Sequence, residues 1–182
     1  MILSGTPVAG AFIVEPERHK DPRGFFARTI DAAVFRQAGL ASSFPEHSIA
    51  YNIAAGTVRG LHYQDGTHAE CKVVRCTMGA IFDVVVDLRA GSPTFKRWYA
   101  LTLDSKNRTA LYVPAGCAHG YQTISDNVEV LYAISAPYDS GAARGVHYAD
   151  PELSIAWPLP VSVISERDAQ LPRLANAVLP RL

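Results

Sequence analysis

Glu70–Met78 (ECKVVRCTM) and Ala80–Leu88 (AIFDVVVDL), parted only by Gly79, decide how this chain folds. Both stretches are dense in valine, isoleucine and other residues that suit a pleated surface, and neither sustains a helical period. In the second, Phe82, Val84, Val86 and Leu88 fall on one face of a strand, while Asp83, Val85 and Asp87 fall on the other. The first face is expected to be core; the second carries two carboxylates that need partners. The same texture continues outward through Arg97–Leu103, Thr109–Val113, His119–Ile124 and Val128–Ser135, with Gly91-Ser92-Pro93, Pro114-Ala115-Gly116 and Ser125-Asp126-Asn127 as breaks. Short strands at this spacing, without alternating helices, predict an all-β sandwich or barrel. Two short helices are expected at the periphery. Asp31 caps one that runs to about Ala38 and stops at Gly39, and Ser165 opens another in the tail.

A chain of 182 residues is read as one domain over residues 1–182. Lys plus Arg and Asp plus Glu are 17 each, so no whole-molecule field exists to collect nucleic acid or an acidic membrane. An anionic ligand therefore needs a local cluster of arginine and lysine. No apolar run approaches the ~20 residues that span a bilayer. The most apolar segment, Ile81 to Leu88, holds both Asp83 and Asp87. Cys71, Cys76 and Cys117 form no CxxC pair, and the first residues lack the charged-then-apolar run of a secretory signal, so free thiols in a reducing cytoplasm are expected.

Two segments carry chemistry. In Gly56–Gln64 (GTVRGLHYQ), Arg59 and His62 flank a glycine where the backbone can come close to a ligand. An arginine offers a fork for phosphate or carboxylate, and histidine is the side-chain type that titrates near neutrality. From this segment alone, a surface arginine and a core histidine are the plainer reading. Pro114–Tyr121 (PAGCAHGY) is a PxGxxH turn entering a strand, and it resembles the second motif of the cupin superfamily, small jelly-roll barrels with an interior ligand site. His119 is then expected to share a cavity with His62. Metal-binding cupins use an H-x-H pair followed by a glutamate. Here His62 and His68 are six residues apart across the turn-like Gln64-Asp65-Gly66, and His68 and Glu70 are expected to begin a new strand. No metal is therefore assigned to His62, His68, Glu70 and His119.

The chain as a whole resembles the dTDP-4-dehydrorhamnose 3,5-epimerase family. From Asp21 to Pro172 it carries, in order, DPRGFF, RGLHYQ, KVVRCTMGAIFDVVVDLRAGSPTF, LYVPAGCAHGYQT, EVLY, DPELSIAWP and SERDAQLP. The resemblance implies a jelly-roll cupin barrel, a homodimer, a nucleotide-linked 4-keto-6-deoxy sugar as substrate, and no cofactor. It makes His62 the general base, Asp168 its carboxylate partner, Tyr132 the acid on the opposite face of the sugar and Lys72 the cation at the keto oxygen. Arg59, His119 and Tyr138 are implied to bind substrate, as are Arg23, reaching the diphosphate, and Phe26 and Arg28 of the same N-terminal segment. Each residue also has a plain structural reading: Asp168 in a helix capping box begun by Ser165, Tyr132 as a core aromatic, Lys72 as a solvated strand lysine. Asp83 stands open between a partner for a pocket histidine and a buried structural carboxylate.

Two departures stand out. Arg28 occupies a position where relatives usually carry a glutamate near the thymine base, and Cys117 replaces a common phenylalanine. A CDP-linked or other sugar nucleotide, a mono-epimerase, a keto-isomerase and a non-catalytic sugar-binding cupin therefore remain as alternatives.

Overall fold

The computed structural model describes residues 1–181; Leu182, the last residue of the expected domain, lies outside them. In chain order the strands are β1 (Ile2–Gly5), β2 (Phe12–Glu15), β3 (His19–Asp21), β4 (Gly24–Phe26), β5 (Glu46–Asn52), β6 (Thr57–Gln64), β7 (Lys72–Met78), β8 (Ala80–Asp87), β9 (Trp98–Asp104), β10 (Ala110–Val113), β11 (Cys117–Thr123), β12 (Val128–Ile134), β13 (Ala143–Gly145) and β14 (Val163–Ile164). The helices are α1 (Ala32–Gln37) and α2 (Glu166–Ala169). One sheet runs β1-β2-β10-β7-β12-β5 and the other β13-β6-β11-β8-β9. All their pairings are antiparallel, and β14 adds a short parallel pairing along β6. This is the all-β jelly-roll arrangement expected from the sequence, and the β3–β4 hairpin stands apart from both sheets.

The interior is made where the two sheets face each other. Val74, Cys76, Leu111 and Val130 of one sheet meet Ile81, Val85, Leu103 and Tyr121 of the other. A second apolar layer, with Val84, Val86 and Leu88 packed under Leu153, Ile155 and Leu174, covers the outside of the β8 sheet. The expected core face of β8 is core, packed against the C-terminal segment rather than the facing sheet. Its all-apolar face lies beneath the C-terminal segment, while Asp83, Val85 and Asp87 face into the barrel, so both faces are buried. Alternation marks one face as wetter only when a strand has a solvent side, and later chain segments remove that side here.

The expected helices form for the expected reasons. The Asp31 carboxylate accepts the N–H groups of Ala33 and Val34 at 3.0 and 3.3 Å, and Gly39 takes φ +72° just past the end of α1. Buried Phe35 pins α1 to the outside of the first sheet, edge-on to Phe44 and Tyr112. The Ser165 hydroxyl accepts the Asp168 N–H at 3.1 Å to open α2.

Asp87 shows how an interior carboxylate is satisfied. Its oxygens accept hydrogen bonds from the Arg89 guanidinium, at 2.8 Å to both Nε and Nη2, and from the hydroxyls of Ser92 and Thr94. Burial alone would raise its pKa, but these donors together bring it down to about 2. The unfolded carboxyl, near its ordinary 3.8, takes up a proton first as the pH falls, so the native state loses stability between about pH 4 and pH 2. That window is worth about 2 kcal/mol. Urea unfolding followed from pH 5 to pH 2 should show this decline, and Asp87→Asn should flatten it while lowering stability at neutral pH.

Candidate active site

A cavity of about 550 Å³ opens between the two sheets. Arg59 and His62 reach it from β6, His119 from β11, Lys72 from β7 and Tyr132 from β12. Arg59 and His62 are three apart and would point to opposite faces of a regular strand. The strand is not regular there. The β6–β11 pairing shifts register between His119 and Tyr121, and Gly60 sits at φ +120° where a Cβ would lie 2.6 Å from the Gly120 Cα. Only glycine fits, and the irregularity lets both side chains serve one cavity.

His62 and Asp168 form a dyad. The His62 Nε2 lies 2.7 Å from Asp168 Oδ1, and the other carboxylate oxygen accepts the Gly60 N–H at 3.0 Å. Asp168 is 4% exposed and opens no helix: Ser165 caps α2, and the carboxylate turns inward instead. Burial would raise its pKa, but the hydrogen bond and charge of His62, with the Gly60 N–H, hold it below the ordinary carboxylate value. An ionised Asp168 accepts the imidazole N–H and leaves the other ring nitrogen with its lone pair.

Across the cavity, Lys72 is buried rather than solvated. Its ammonium is 2.9 Å from Glu70 Oε1, and Gln64 Nε2 donates to Glu70 Oε2 at 2.6 Å. Burial pushes the Tyr132 phenol well above its ordinary pKa, with neighbouring Tyr121 and Asp83 adding to the rise, so it is protonated at neutral pH. Its ring stands edge-on to His119, centroids 5.8 Å apart. His119 Nε2 in turn lies 2.7 Å from Asp83 Oδ1, which settles Asp83 as the partner of a pocket histidine. Burial raises the Asp83 pKa against the opposing pull of His119, and its second oxygen has no hydrogen-bond partner among the described residues.

Tyr138 lies at the cavity and is 66% exposed. Arg23, Phe26 and Arg28 do not line it. Arg23 is paired with Asp21 at 2.6 Å, Phe26 projects from the β3–β4 hairpin, and Arg28 is held 2.8 Å from Asp31, the residue that caps α1. His68 and Glu70 do not begin a strand as expected. Gly66–His68 is a 3-10 turn, His68 faces Asp139 at 3.9 Å, and β7 starts only at Lys72. His68 does not line the cavity, and no group of three such side chains is arranged to hold an ion among the described residues. The sequence reading missed Arg144 and Arg167, which add positive charge at the cavity, and the Asn52 and Tyr121 pair behind Tyr132. The arginines come from separate segments with no shared motif.

The family model described as dTDP-4-dehydrorhamnose 3,5-epimerase matches residues 5–176. The chain belongs to this family. It is 37% identical over 177 residues to the dTDP-4-dehydrorhamnose 3,5-epimerase of Sinorhizobium fredii, covering 97% of this chain and 91% of that protein. It is 39% identical over 178 residues to the dTDP-4-dehydrorhamnose 3-epimerase of Streptomyces niveus, covering 97% of this chain and 86% of that one. Among solved structures, that of dTDP-6-deoxy-D-glucose-3,5-epimerase from Legionella pneumophila, in complex with dTDP-4-keto-L-rhamnose, superimposes with a TM-score of 0.92 at 33% identity. It covers 100% of this chain and 98% of that one.

The dyad makes a structural demand that is independent of turnover. Asp168→Ala strands the buried Gly60 N–H and should destabilise the fold by about 2 kcal/mol. Asp168→Asn, whose carbonyl can still accept that N–H, should cost less. Chemical unfolding of the two variants at neutral pH checks the order.

Proposed function

We propose that this chain inverts the carbons flanking the ketone, C3 and C5, of a dTDP-linked 4-keto-6-deoxyhexose, with no metal or organic cofactor. The observation that carries the reading is the dyad of His62 on one sheet with Asp168 of α2, 2.7 Å between partners, facing a protonated Tyr132 on the other sheet across one cavity. His62 removes the hydrogen beside the ketone. The C–H electron pair becomes the enolate double bond, and negative charge develops on the C4 oxygen. The Lys72 ammonium is suited to stabilise that charge, and Asp168 to stabilise the imidazolium. Tyr132 then delivers its phenolic proton to the opposite face of the carbon and the ketone re-forms. The reaction is redox-neutral and needs only proton carriers. Arg59, Arg144 and Arg167 supply local positive charge for a diphosphate in a chain whose formal net charge is zero. Within this chain Arg28 pairs with Asp31 and does not line the cavity. A sugar-binding protein without activity would not need base, carboxylate and acid around one cavity.

We further propose that residues 1–182 act as one domain in a cytoplasmic homodimer. The three cysteines are free thiols, as a reducing compartment favours. Strand β5 closes one edge of its sheet with Ile49 64% exposed, and Phe26 on the hairpin is 71% exposed. A second copy covering both would remove apolar surface from water and bring Arg23 and Phe26 to a neighbouring cavity. Sedimentation should yield the mass of two chains; a monomer at micromolar concentration would remove the dimer from the reading.

The catalytic assignment is tested in deuterated water with a dTDP-4-keto-6-deoxyhexose, reading mass and position of deuterium. His62→Ala should abolish exchange at both carbons. Tyr132→Phe should retain deuterium wash-in but lose inversion, by about a hundredfold or more. Normal inversion by Tyr132→Phe would return Tyr132 to a wall residue.

A further inference from the structure

Gln64 and Glu70 line the cavity beside Lys72, and neither has a part in the reaction set out above. Glu70 and Lys72 are two apart, so an extended chain turns both side chains to the same face. Cys71 between them is held at both its backbone groups: its N–H donates to the Ser135 Oγ at 2.8 Å, and its carbonyl accepts the Ser135 N–H at 3.0 Å. The Glu70 side chain is 8% exposed, and both its oxygens are engaged. Oε1 accepts from the Lys72 ammonium at 2.9 Å, and Oε2 from Gln64 Nε2 at 2.6 Å. The Gln64 amide is itself fixed in one orientation. Its oxygen accepts the Asp139 N–H at 2.6 Å, a group that can only donate. The amide nitrogen is thereby turned towards Glu70 and towards the carbonyls of His68 and Pro137, at 3.2 and 3.0 Å. Gln64 is buried, so these partners come from the protein rather than from bulk water.

We propose that Glu70 is a positioning residue: braced from behind by Gln64, it aims the Lys72 ammonium at the ketone oxygen of the sugar. A lysine ammonium sits on a flexible four-carbon stem, and without a fixed partner it would have to be ordered as charge develops. Stabilisation of an enolate is largest when the donor is already in place. Glu70 takes one of the three ammonium N–H groups and leaves two for the ligand. It also keeps the ammonium from being buried without a counter-charge. The brace is stiff because Gln64 is tied to Pro137 and Asp139, on the segment that follows β12. No bond is made or broken at Glu70 or Gln64. The inference rests on Lys72 being the cation at the keto oxygen, as set out under Proposed function.

The test is a double-mutant cycle on Glu70 and Lys72, with a dTDP-4-keto-6-deoxyhexose in deuterated water. Glu70→Gln keeps the size of the side chain, but its single oxygen can face only one of Lys72 and Gln64. Turnover, kcat, should fall at least tenfold with KM within about threefold, because the developing enolate loses more than the bound ketone does. Deuterium wash-in should fall in the same proportion as inversion, since the enolate precedes both. In a Lys72→Met background, Glu70→Gln should change kcat by less than about twofold. A structural role for Glu70 would carry its loss into the Lys72→Met background. That result, or a normal kcat in Glu70→Gln, overturns the inference. If Glu70→Gln fails to fold by circular dichroism, Glu70→Asp takes its place. It keeps the charge but withdraws it by one methylene, and a normal kcat there overturns the inference instead. If Lys72→Met itself keeps the wild-type kcat, the lysine assignment fails first. Loss in Lys72→Met without loss in Glu70→Gln refutes only the positioning.

Discussion

The Asp168 carboxylate has two oxygens and two obligations, and the site depends on both being met. One oxygen orients His62 and the other accepts the Gly60 N–H, so a side chain from α2 is stitched to the strand that carries the base. The strand must be irregular at that point for the stitch to form. Gly60, Gly120 and Gly145 lie where β6 and its two neighbours approach so closely that an added Cβ would come within 2.6 or 2.7 Å of backbone atoms. Backbone proximity, a buried amide and a charged acceptor thus occupy the same few ångströms, and the base inherits its geometry from them.

The two-sheet architecture separates the roles. The proposed base, His62, comes from β6, and the proposed acid and ammonium, Tyr132 and Lys72, from β12 and β7 of the facing sheet. A ligand held between two sheets is flanked from two sides, the geometric requirement for inverting a carbon. The polar interior this demands is organised in pairs: His62 with Asp168, His119 with Asp83, Lys72 with Glu70. Each pair offsets part of the cost of burying charge in a barrel otherwise filled with valine, leucine and isoleucine.

Much of this was legible in the order of residues. The strand run from Lys72 to Ile134, the cap at Asp31 and the stop at Gly39 follow from local propensity and backbone sterics, and they appear where expected within a residue or two. The catalytic candidates were legible in a different way, as a set of short motifs in one order. Locally each had a plain structural reading, and burial removes one of them, the solvated lysine: Lys72 is 9% exposed. The Ser165 cap and the inward-facing Asp168 carboxylate, which the sequence set against each other, coexist because the cap is made by the serine hydroxyl while the carboxylate pairs with His62.

By itself, the sequence determined the fold class, the strand-and-turn rhythm and the list of groups capable of moving a proton, because these depend on side-chain chemistry and on interactions within a few residues. Only the tertiary structure decided which of those groups meet. Arg28 was drawn to Asp31 rather than to the cavity, the carboxylate face of β8 became the interior, and Arg144, Arg167, Asn52 and Tyr121 joined the site from distant segments. The reason is one of range. Local propensity is felt over a turn or a strand. Desolvation and hydrogen-bond pairing in a barrel depend on which segments close over one another, and that is settled only when the two sheets pack.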